Sequence, residues 1–492
     1  MSSTFAELAP PEIVARYEPV IGLEVHAQLA TATKIFCSCP TSFGAPPNTN
    51  VCPVCLGLPG ALPVLSRQAV EHAVAAALAL NCTIRSRSQF ARKNYFYPDL
   101  PKGYQISQYD QPFSEHGWLD ISVDGATKRI GVTRVHMEDD AGKSVHDGFK
   151  DSDEYTYVDL NRCGTPLIEI VSEPDMRSSD EAVAYMTEVK QVLQFVEAST
   201  CDMEKGHLRC DANVSVRLKG TEKLGTRAEV KNLNSFRFVK AAIEYEIARQ
   251  VAILEGGGKI HQETRLYNVA SGVTVGMRSK EDAHDYRYFP EPDLVPLRIG
   301  DAWRERVRAR MPELPSAKRA RFAGSYGLRE YDAQALTATR AMSDYFEKAA
   351  AVSGDPRAAA NWVMGDLLGA LNAAGKDIAE SPVSAERLGE LVALVRTGAL
   401  SGKLAKDIFP RMIETGEAAS AIMDREGLRQ ISDSGALDKI LDDVLAANPK
   451  QVEQYRSGKT AVLGFLVGQV MKASRGQANP GSVNDMLKEK LG

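Results

Sequence analysis

The stretch that decides the fold runs from Val20 to Leu29 and reads Val-Ile-Gly-Leu-Glu-Val-His-Ala-Gln-Leu. Apolar and polar residues alternate along it, and a period of two predicts a β-strand with one face on a hydrophobic core. The other face carries Glu24 and His26, whose side chains then point the same way. A carboxylate beside an imidazole can bind a metal or move a proton, although an ordinary solvated strand face shows the same alternation.

The same alternation recurs in three later segments, at residues 134–140, 208–218 and 227–231. If these strands lie in one sheet, its polar face is crowded with carboxylates, and carboxylates repel one another unless a cation or donor neutralises them. We therefore predict that this face is a platform for metal and phosphate. The candidate residues on these segments are His136, Glu138, Asp139, Asp140, Arg209, Asp211, Arg227, Glu229 and Lys231, and Glu169 adds a further carboxylate.

Composition bounds the protein class. A chain of 492 residues is longer than one hydrophobic core usually organises, so two or three domains are expected. The net charge of -5 argues against a generally cationic nucleic-acid binder but leaves room for local basic patches. The first ten residues lack a secretory signal, and the longest apolar run is too short to span a bilayer. We expect a cytoplasmic protein without membrane association, in which the 8 cysteines form no structural disulfides.

Four cysteines fall into two close pairs, Cys37 with Cys39 and Cys52 with Cys55. In a reducing compartment such pairs indicate a structural zinc site with four thiolate ligands. The first pair has one spacer residue where two or more are usual, and four unrelated reduced cysteines are the alternative.

A basic, aromatic segment runs from Lys93 to Gln108 and is interrupted by prolines. Its Lys93, Tyr95 and Lys102 can meet phosphate or a nucleotide, although a rigid surface loop has the same composition. We expect Tyr95 and Lys102 to bind ATP or substrate, together with Arg209, Arg227 and Lys231 of the strands. The chain has no complete P-loop and no glycine-flanked nucleophile, so phosphates would have to be held by metal and polar strands.

Helical periodicity predicts helices over 66–80, 178–197 and 234–255, interleaved with the strands. The region up to residue 295 is therefore predicted to be α+β with mainly antiparallel pairing, and the rest to be helical without a convincing strand. We predict a catalytic domain at 1–295 that contains the zinc site, a helical domain at 296–400 and a tail domain at 401–492. Lysines late in the tail are compatible with nucleic-acid contact, but a small helical bundle with a solvated basic side would carry them without any ligand.

With these residues in hand, the chain closely resembles the GatB family, which provides one component of the aspartyl/glutamyl-tRNA amidotransferases. The resemblance covers nearly the whole chain, because the tail resembles the YqeY-like module of that family. The matching runs, in family order over residues 20–293, are Ile-Gly-Leu-Glu-Val-His-Ala-Gln-Leu, Cys-Pro-Val-Cys-Leu-Gly-Leu-Pro-Gly, Lys-Asn-Tyr-Phe-Tyr-Pro-Asp-Leu-Pro-Lys-Gly-Tyr, His-Met-Glu-Asp-Asp-Ala-Gly-Lys, Arg-Cys-Asp-Ala-Asn-Val-Ser, Glu-Val-Lys-Asn-Leu-Asn-Ser and Tyr-Arg-Tyr-Phe-Pro-Glu-Pro-Asp.

The resemblance implies a first domain of the glutamine synthetase and guanidino kinase type, called the cradle, followed by an all-α domain and a tail that contacts tRNA. It implies that ATP and Mg²⁺ serve to phosphorylate the side-chain carboxylate of Glu-tRNA(Gln), Asp-tRNA(Asn) or both. Ammonia from a separate amidase subunit then displaces phosphate, within a GatCAB heterotrimer whose third member is small. The absence of a glutaminase nucleophile from this chain fits that division of labour.

The resemblance also assigns residues. Lys93 would lie near the ammonia path, and the catalytic group would be Glu24, His26, Lys93, Glu138 and Asp139. Because imidazole is an unusual ligand for so hard a cation as Mg²⁺, His26 would bind weakly, favour Mn²⁺ or carry a proton. The metal ligands by motif position would be Glu24, His26, Glu138, Asp139, Asp211 and Glu229.

Two other functions stay open on the sequence alone. A non-enzymatic tRNA-binding protein with a zinc site and a basic tail would turn over no ATP with any partner. A self-contained metal-dependent phosphotransferase would act on a small substrate without tRNA.

Overall fold

The computed structural model describes residues 8–146, 148–279, 286–427, 434–474, 477–478 and 480–492. The chain divides into two compact units, Met1–Leu314 and Pro315–Gly492. The first unit is α+β and the second is helical, as the sequence predicts.

The strands are numbered here in chain order. They are β1 Tyr17–Gln28, β2 Thr83–Ile84, β3 Arg87–Ser88, β4 Ala91–Asn94, β5 Tyr104–Ser107, β6 Ser114–Val123, β7 Ala126–Asp139, β8 Lys143–Val145, β9 Tyr157–Asp159, β10 Pro166–Ser172, β11 Leu208–Leu218, β12 Ala228–Lys231, β13 Glu263–Asn268, β14 Val273–Ser279, β15 Phe289–Pro290 and β16 Leu297–Arg298. The helices of the first unit are α1 Pro11–Val14, α2 Arg67–Ala79, α3 Ser179–Phe195, α4 Phe236–Glu255 and α5 Asp301–Arg308.

A nine-stranded sheet organises the first unit, in the order β14-β13-β12-β11-β1-β10-β7-β6-β2. Its pairs are antiparallel except for β12 with β13, which run parallel. The predicted mainly antiparallel sheet is therefore confirmed, and the segment that decides the fold occupies its central strand. The described residues also form three smaller sheets, β15-β4-β5, β16-β3 and β8-β9.

The alternation in β1 sorts its side chains between the two faces of the sheet. Ile21, Leu23 and Val25 are buried in the main hydrophobic core, where α3 and α4 cover the apolar face of the sheet. Ser178 and Ser235 cap the N-termini of α3 and α4 through their side-chain oxygens, which explains where these helices begin. The opposite, polar face of β1 carries Glu24 and His26.

The helices of the second unit are α6 Pro315–Ser325, α7 Glu330–Leu336, α8 Arg340–Ser353, α9 Pro356–Trp362, α10 Leu368–Ala373, α11 Ala385–Arg396, α12 Gly402–Thr415, α13 Ala419–Glu426, α14 Ser434–Ala447, α15 Pro449–Arg456, α16 Leu463–Ala473 and α17 Pro480–Leu491, with a π-helical turn at Val363–Leu367 and 3-10 turns at Ile378–Glu380 and Thr460–Val462. The expectation of no strand past residue 296 needs one correction. The two residues of β16 pair with β3, and a strand this short gives no periodic signal.

Two hydrophobic clusters hold the second unit together. One includes buried residues from Phe322 to Met423, and the other includes buried residues from Leu437 to Leu491. The first cluster contains residues on both sides of position 400, among them Leu388 and Leu404. Across the described ranges, no helix combines the length and apolar character needed to cross a membrane.

Candidate active site

The register of the central strands brings the polar side chains of distant segments together. His26 of β1 pairs with Glu169 of β10, and Glu169 pairs in turn with His136 of β7. On the other side of β1, Glu24 pairs with Asp211 of β11. Because directly opposed residues in an antiparallel ladder share a face, all five side chains lie on the face away from the helices.

His26, Glu138 and Glu169 form the tightest group, with a ligand atom of each within 4.8 Å of the others. His26 Nε2 lies 3.3 Å from a Glu169 oxygen and 3.7 Å from a Glu138 oxygen. His136 lies on β7, the neighbour of β10 away from β1, and its Nε2 is 3.4 Å from Glu169 and 3.8 Å from Glu138. Ser107 also donates a hydrogen bond of 3.2 Å to Glu138. One imidazole and two carboxylates thus converge with their ligand atoms toward one point.

The electrostatics of this group follow from burial and mutual proximity. Burial lowers the pKa of His26, but the hydrogen bond to Glu169 and the charges of both carboxylates outweigh it and raise the pKa to about 9. Burial raises the pKa of Glu169, yet His136 and His26 bring it well below its ordinary value. The carboxylates are therefore ionised and available as ligands, while His26 must release its proton before its ring nitrogen can bind a metal.

Three further carboxylates line the same cavity on the β11 and β12 side. Lys231 Nζ lies 2.5 Å from Asp211 and 3.3 Å from Glu229. Thr264 of β13 donates a 2.9 Å hydrogen bond to Glu229, and Asn213 donates one of 2.9 Å to Glu24. The ammonium of Lys231 neutralises part of this acidic wall, and the carboxylates raise its pKa against the opposing effect of burial.

The cavity that these groups line has a volume of about 370 Å³. Its remaining wall is aromatic and basic. Tyr109 and Tyr288 stack with ring centroids 4.2 Å apart, and Lys93 Nζ lies 4.9 Å from the ring centroid of Tyr286. Five of the predicted metal ligands therefore share this cavity with Lys93 and Lys231, namely Glu24, His26, Glu138, Asp211 and Glu229.

Asp139 and Lys102 do not join that cavity. They form an ion pair with each other, and Asp139 accepts a hydrogen bond from the backbone N–H of Ile106. Both line a separate cavity of about 280 Å³ beside Cys37 and Cys55. The reason is the pleat, because Glu138 and Asp139 are consecutive in β7 and their side chains must take opposite faces. Asp139 is therefore not grouped with the other predicted metal ligands.

The remaining predicted binding residues lie around the cavity. Arg209 lines a neighbouring basin and pairs with Asp140 at 2.7 Å. Arg227 lines a cavity that it shares with Glu24. Tyr95 donates a hydrogen bond of 3.2 Å to Gln105, and its ring lies edge-on to Tyr286. None of these three side chains lines the active-site cavity itself.

Glu169 and His136 are site residues that the sequence-based set of ligands omitted. Glu169 sits in the run Pro-Leu-Ile-Glu-Ile-Val-Ser, and six of these seven residues are buried. A single carboxylate inside an apolar strand is costly unless it is paired, and that isolation was the available signal.

The four predicted zinc cysteines converge as expected, with their sulfur atoms within 4.8 Å of one another. Cys52 Sγ and Cys55 Sγ are 3.9 Å apart. Tetrahedral zinc with bonds of about 2.3 Å needs sulfur atoms roughly 3.8 Å apart, so the set fits a metal such as zinc. A hydrogen bond from Cys37 lowers the pKa of Cys55 to about 4, and Lys34 nearby acts in the same direction.

Comparison with known proteins agrees with this architecture. A family profile described as the GatB/GatE catalytic domain matches residues 19–305, and one described as the GatB domain matches residues 344–491. A relative from Syntrophotalea carbinolica is 56% identical over 97% of this chain and 99% of the relative. Relatives from Geobacter sulfurreducens and Moorella thermoacetica are 57% identical over 96% of this chain, and over 99% and 100% of their own lengths.

All three relatives are named as the B subunit of an aspartyl/glutamyl-tRNA(Asn/Gln) amidotransferase. The resemblance drawn from the sequence motifs is thereby confirmed. The chain belongs to the GatB family, the enzyme family that supplies the B subunits of these tRNA-dependent amidotransferases.

Proposed function

We propose that the polar face of the sheet activates the side-chain carboxylate of a misacylated tRNA with ATP and then converts it to the amide. The substrate is Glu-tRNA(Gln), Asp-tRNA(Asn) or both. The observation that carries the proposal is the convergence of His26, Glu138 and Glu169 in one cavity with Lys231 and Lys93. This combination of metal ligands and cations suits phosphoryl transfer to a carboxylate.

The chemistry has two steps. An oxygen of the substrate carboxylate attacks the γ-phosphorus of ATP, and ADP leaves with the electrons of the broken P–O bond. Ammonia then attacks the carbonyl carbon of the acyl phosphate, and inorganic phosphate leaves as the amide forms. The first step is needed because a carboxylate oxygen is a poor leaving group and phosphate is a good one.

The donor set fits a divalent cation, since it offers two ionised carboxylates and one imidazole nitrogen within a single ligand sphere. His26, Glu138 and Glu169 would hold this ion. When bound, Mg²⁺ or Mn²⁺ neutralises the charge that spreads over the transferring phosphoryl group. The nitrogen ligand favours Mn²⁺ more than an all-oxygen site does.

The other charged residues would position the substrates. Lys231 can offer its ammonium to a phosphate oxygen while Asp211 and Glu229 hold it in place. Glu24, Asp211 and Glu229 remain candidate ligands of a second divalent ion, which would have to displace Lys231. Lys93, on the aromatic wall of the cavity, would face the entering ammonia.

The proposal extends to partners. Ammonia would come from a separate amidase subunit, and a small third protein would complete the GatCAB heterotrimer, because the sequence offers no glutaminase nucleophile of its own. Zinc bound to the four cysteines would stabilise the fold of residues 37–55. The C-terminal helices would contact tRNA. Because the amidated tRNA would serve translation, the protein would act in the cytoplasm.

The test is transfer of the γ-phosphate from labelled ATP to Glu-tRNA(Gln) and Asp-tRNA(Asn) by the assembled complex, with Glu138→Gln against the wild type. We expect the substitution to abolish transfer while the complex still assembles. Undiminished transfer would contradict the site. A non-enzymatic tRNA-binding role predicts no ATP turnover by the wild type with either charged tRNA.

A further inference from the structure

A second, larger cavity lies beside the candidate active site on the same sheet face. It has a volume of about 760 Å³, and we call it the basic basin. The lining residues that matter here are Gln28, Phe43, Lys143, Arg162, Lys205 and Arg209.

The basic basin begins one side chain away from the proposed metal ligands. Arg209 is the cross-strand partner of His26 in the β1–β11 ladder. Gln28 follows His26 by two residues on the same face of β1, and that step is about 7 Å along a strand. A molecule in the basin can therefore extend a short chemical group to the carboxylates at His26.

The charge of the basin contrasts with that of the active-site cavity. Asp140 is buried and accepts hydrogen bonds from Gln28 at 2.9 Å and Arg209 at 2.7 Å, and Arg162 lies 3.5 Å away. One carboxylate thus holds two guanidinium groups in place. Lys143 and Lys205 add two further cations to the lining, which also contains the carboxylates of Asp159 and Glu204, and Lys205 pairs with Asp202 at 3.0 Å. Cations still outnumber carboxylates in this lining, so the basin suits phosphate groups that the five carboxylates of the neighbouring cavity would repel.

An exposed aromatic ring stands at the basin. Phe43 has 66% of its surface exposed, its ring meets His207 edge-on at 5.8 Å, and Lys205 Nζ lies 5.9 Å from its centroid. Asn161 donates a 2.7 Å hydrogen bond to the carbonyl of Pro46 and so ties down the loop that carries Phe43. A solvent-exposed ring among cations is the usual platform for stacking an unpaired base.

We infer that the basic basin binds the unpaired 3′-terminal nucleotides of the aminoacyl-tRNA, with Phe43 stacking on a base and Lys205 facing a phosphate. The inference rests on the proposed function, because the substrate carboxylate is tethered through its amino acid to the terminal ribose. The carboxylate can reach His26 and Glu169 only if the terminal nucleotide lies within one amino-acid length of them. The basin is a cationic space at that distance, since Arg209 in its lining is the cross-strand partner of His26.

The experiment uses the assembled complex with Phe43→Leu, Phe43→Trp, Lys205→Gln and a matched control, Lys259→Gln, which alters an exposed lysine in the loop after α4. Binding is measured by fluorescence anisotropy with a labelled acceptor-stem RNA minihelix that carries the unpaired 3′ nucleotides, and with one that lacks them. KM values for charged tRNA and for ATP are measured in parallel.

Phe43→Leu should weaken binding of the intact minihelix about tenfold, and Phe43→Trp should restore most of it. The truncated minihelix should bind all variants alike. Lys205→Gln should reduce the slope of log affinity against log salt by about 1, whereas the control leaves it unchanged. The KM for charged tRNA should rise in the first and third variants, and the KM for ATP should stay constant.

Three results would overturn the inference. These are equal loss of affinity for both minihelices, a raised KM for ATP with an unchanged KM for tRNA, and failure of Phe43→Leu to assemble with its partner proteins. The last result would assign the basin to docking of a partner protein. If the wild-type complex turns over no ATP with either charged tRNA, the proposed function fails, and the minihelix measurements still decide whether the basin binds RNA.

Discussion

Glu169 of β10 lies directly opposite His26 of β1, with 3.3 Å between its Oε2 and His26 Nε2. The same oxygen lies 3.4 Å from Nε2 of His136 on the next strand. One carboxylate therefore links three neighbouring strands at the centre of the sheet. Its burial is tolerable because both imidazoles compensate its charge, and a divalent cation would do so more completely.

The first prediction concerns this carboxylate. Glu169→Gln keeps the size of the side chain but removes its charge, so we expect Mn²⁺ affinity in a calorimetric titration to fall. Phosphoryl transfer to charged tRNA should fall with it, by roughly a hundredfold or more, because several kcal/mol of charge stabilisation are lost. Glu173→Gln, at an exposed residue just after β10, is the matched control. Wild-type Mn²⁺ affinity in Glu169→Gln would remove this residue from the site.

The sequence pattern predicted the sheet and most of the site because side-chain parity is a local property of each strand. Glu24, His26, Glu138, Asp211 and Glu229 share one cavity as that parity requires. The same rule sends the side chain of Asp139, which follows Glu138 directly, to a separate cavity.

Glu169 could not be assigned in the same way. Its strand follows β1 by well over a hundred residues, and nothing local to either strand says that the two pair. Register is fixed only when the whole sheet assembles, since the choice of neighbours depends on the packing of distant elements. The domain boundary predicted near residue 400 also depends on the packing of distant elements. Ser401 caps α12 there, and that helix packs into the cluster that begins at Phe322.

The second prediction concerns the four-cysteine site. Cys52→Ser replaces a thiolate with a hydroxyl that binds zinc poorly, so the zinc content of the purified protein should fall well below that of the wild type. The thermal unfolding temperature should fall as well, because metal binding contributes to the stability of the folded segment. Cys82→Ser changes a buried cysteine away from the cluster and should leave the zinc content unaltered. Unchanged zinc in Cys52→Ser would refute the site.

The third prediction concerns the C-terminal helices. Deletion of residues 428–492 removes the cluster between Leu437 and Leu491 and leaves the other cluster of the second unit whole. We expect ATP binding to persist and affinity for tRNA to fall about tenfold, with a shallower salt dependence, as several phosphate contacts are lost. Wild-type tRNA affinity after this deletion would contradict a tRNA-contacting tail.

A longer deletion provides the internal comparison. Removing residues 401–492 also takes Leu404, Ile408 and Met412 out of the cluster that begins at Phe322. Loss of several buried apolar side chains exposes a core, so this variant should unfold at a lower temperature than the shorter deletion. Equal stability of the two truncated chains would mean that the first cluster does not depend on α12.

The fourth prediction concerns Glu246, a fully buried carboxylate on α4. It accepts hydrogen bonds from Arg249 at 2.5 Å, Gln250 at 2.9 Å and Thr274 of β14 at 3.0 Å, and Arg265 of β13 lies 3.5 Å away. The carboxylate thus links α4 to β13 and β14 at the edge of the sheet. The same strand β13 carries Thr264, which donates a hydrogen bond to Glu229 of the candidate site.

Glu246→Ala leaves two arginines without their buried partner, so the free energy of unfolding should fall by about 3–5 kcal/mol. Urea denaturation of the isolated chain measures this loss. Asp180→Ala breaks an exposed ion pair between Asp180 of α3 and Lys240 of α4. The loss of free energy of unfolding should be much smaller in this variant because solvent screens that pair. Similar losses in the two variants would mean that burial does not set the strength of the Glu246 network. The sheet edge that carries Thr264 would then owe its position to apolar packing alone.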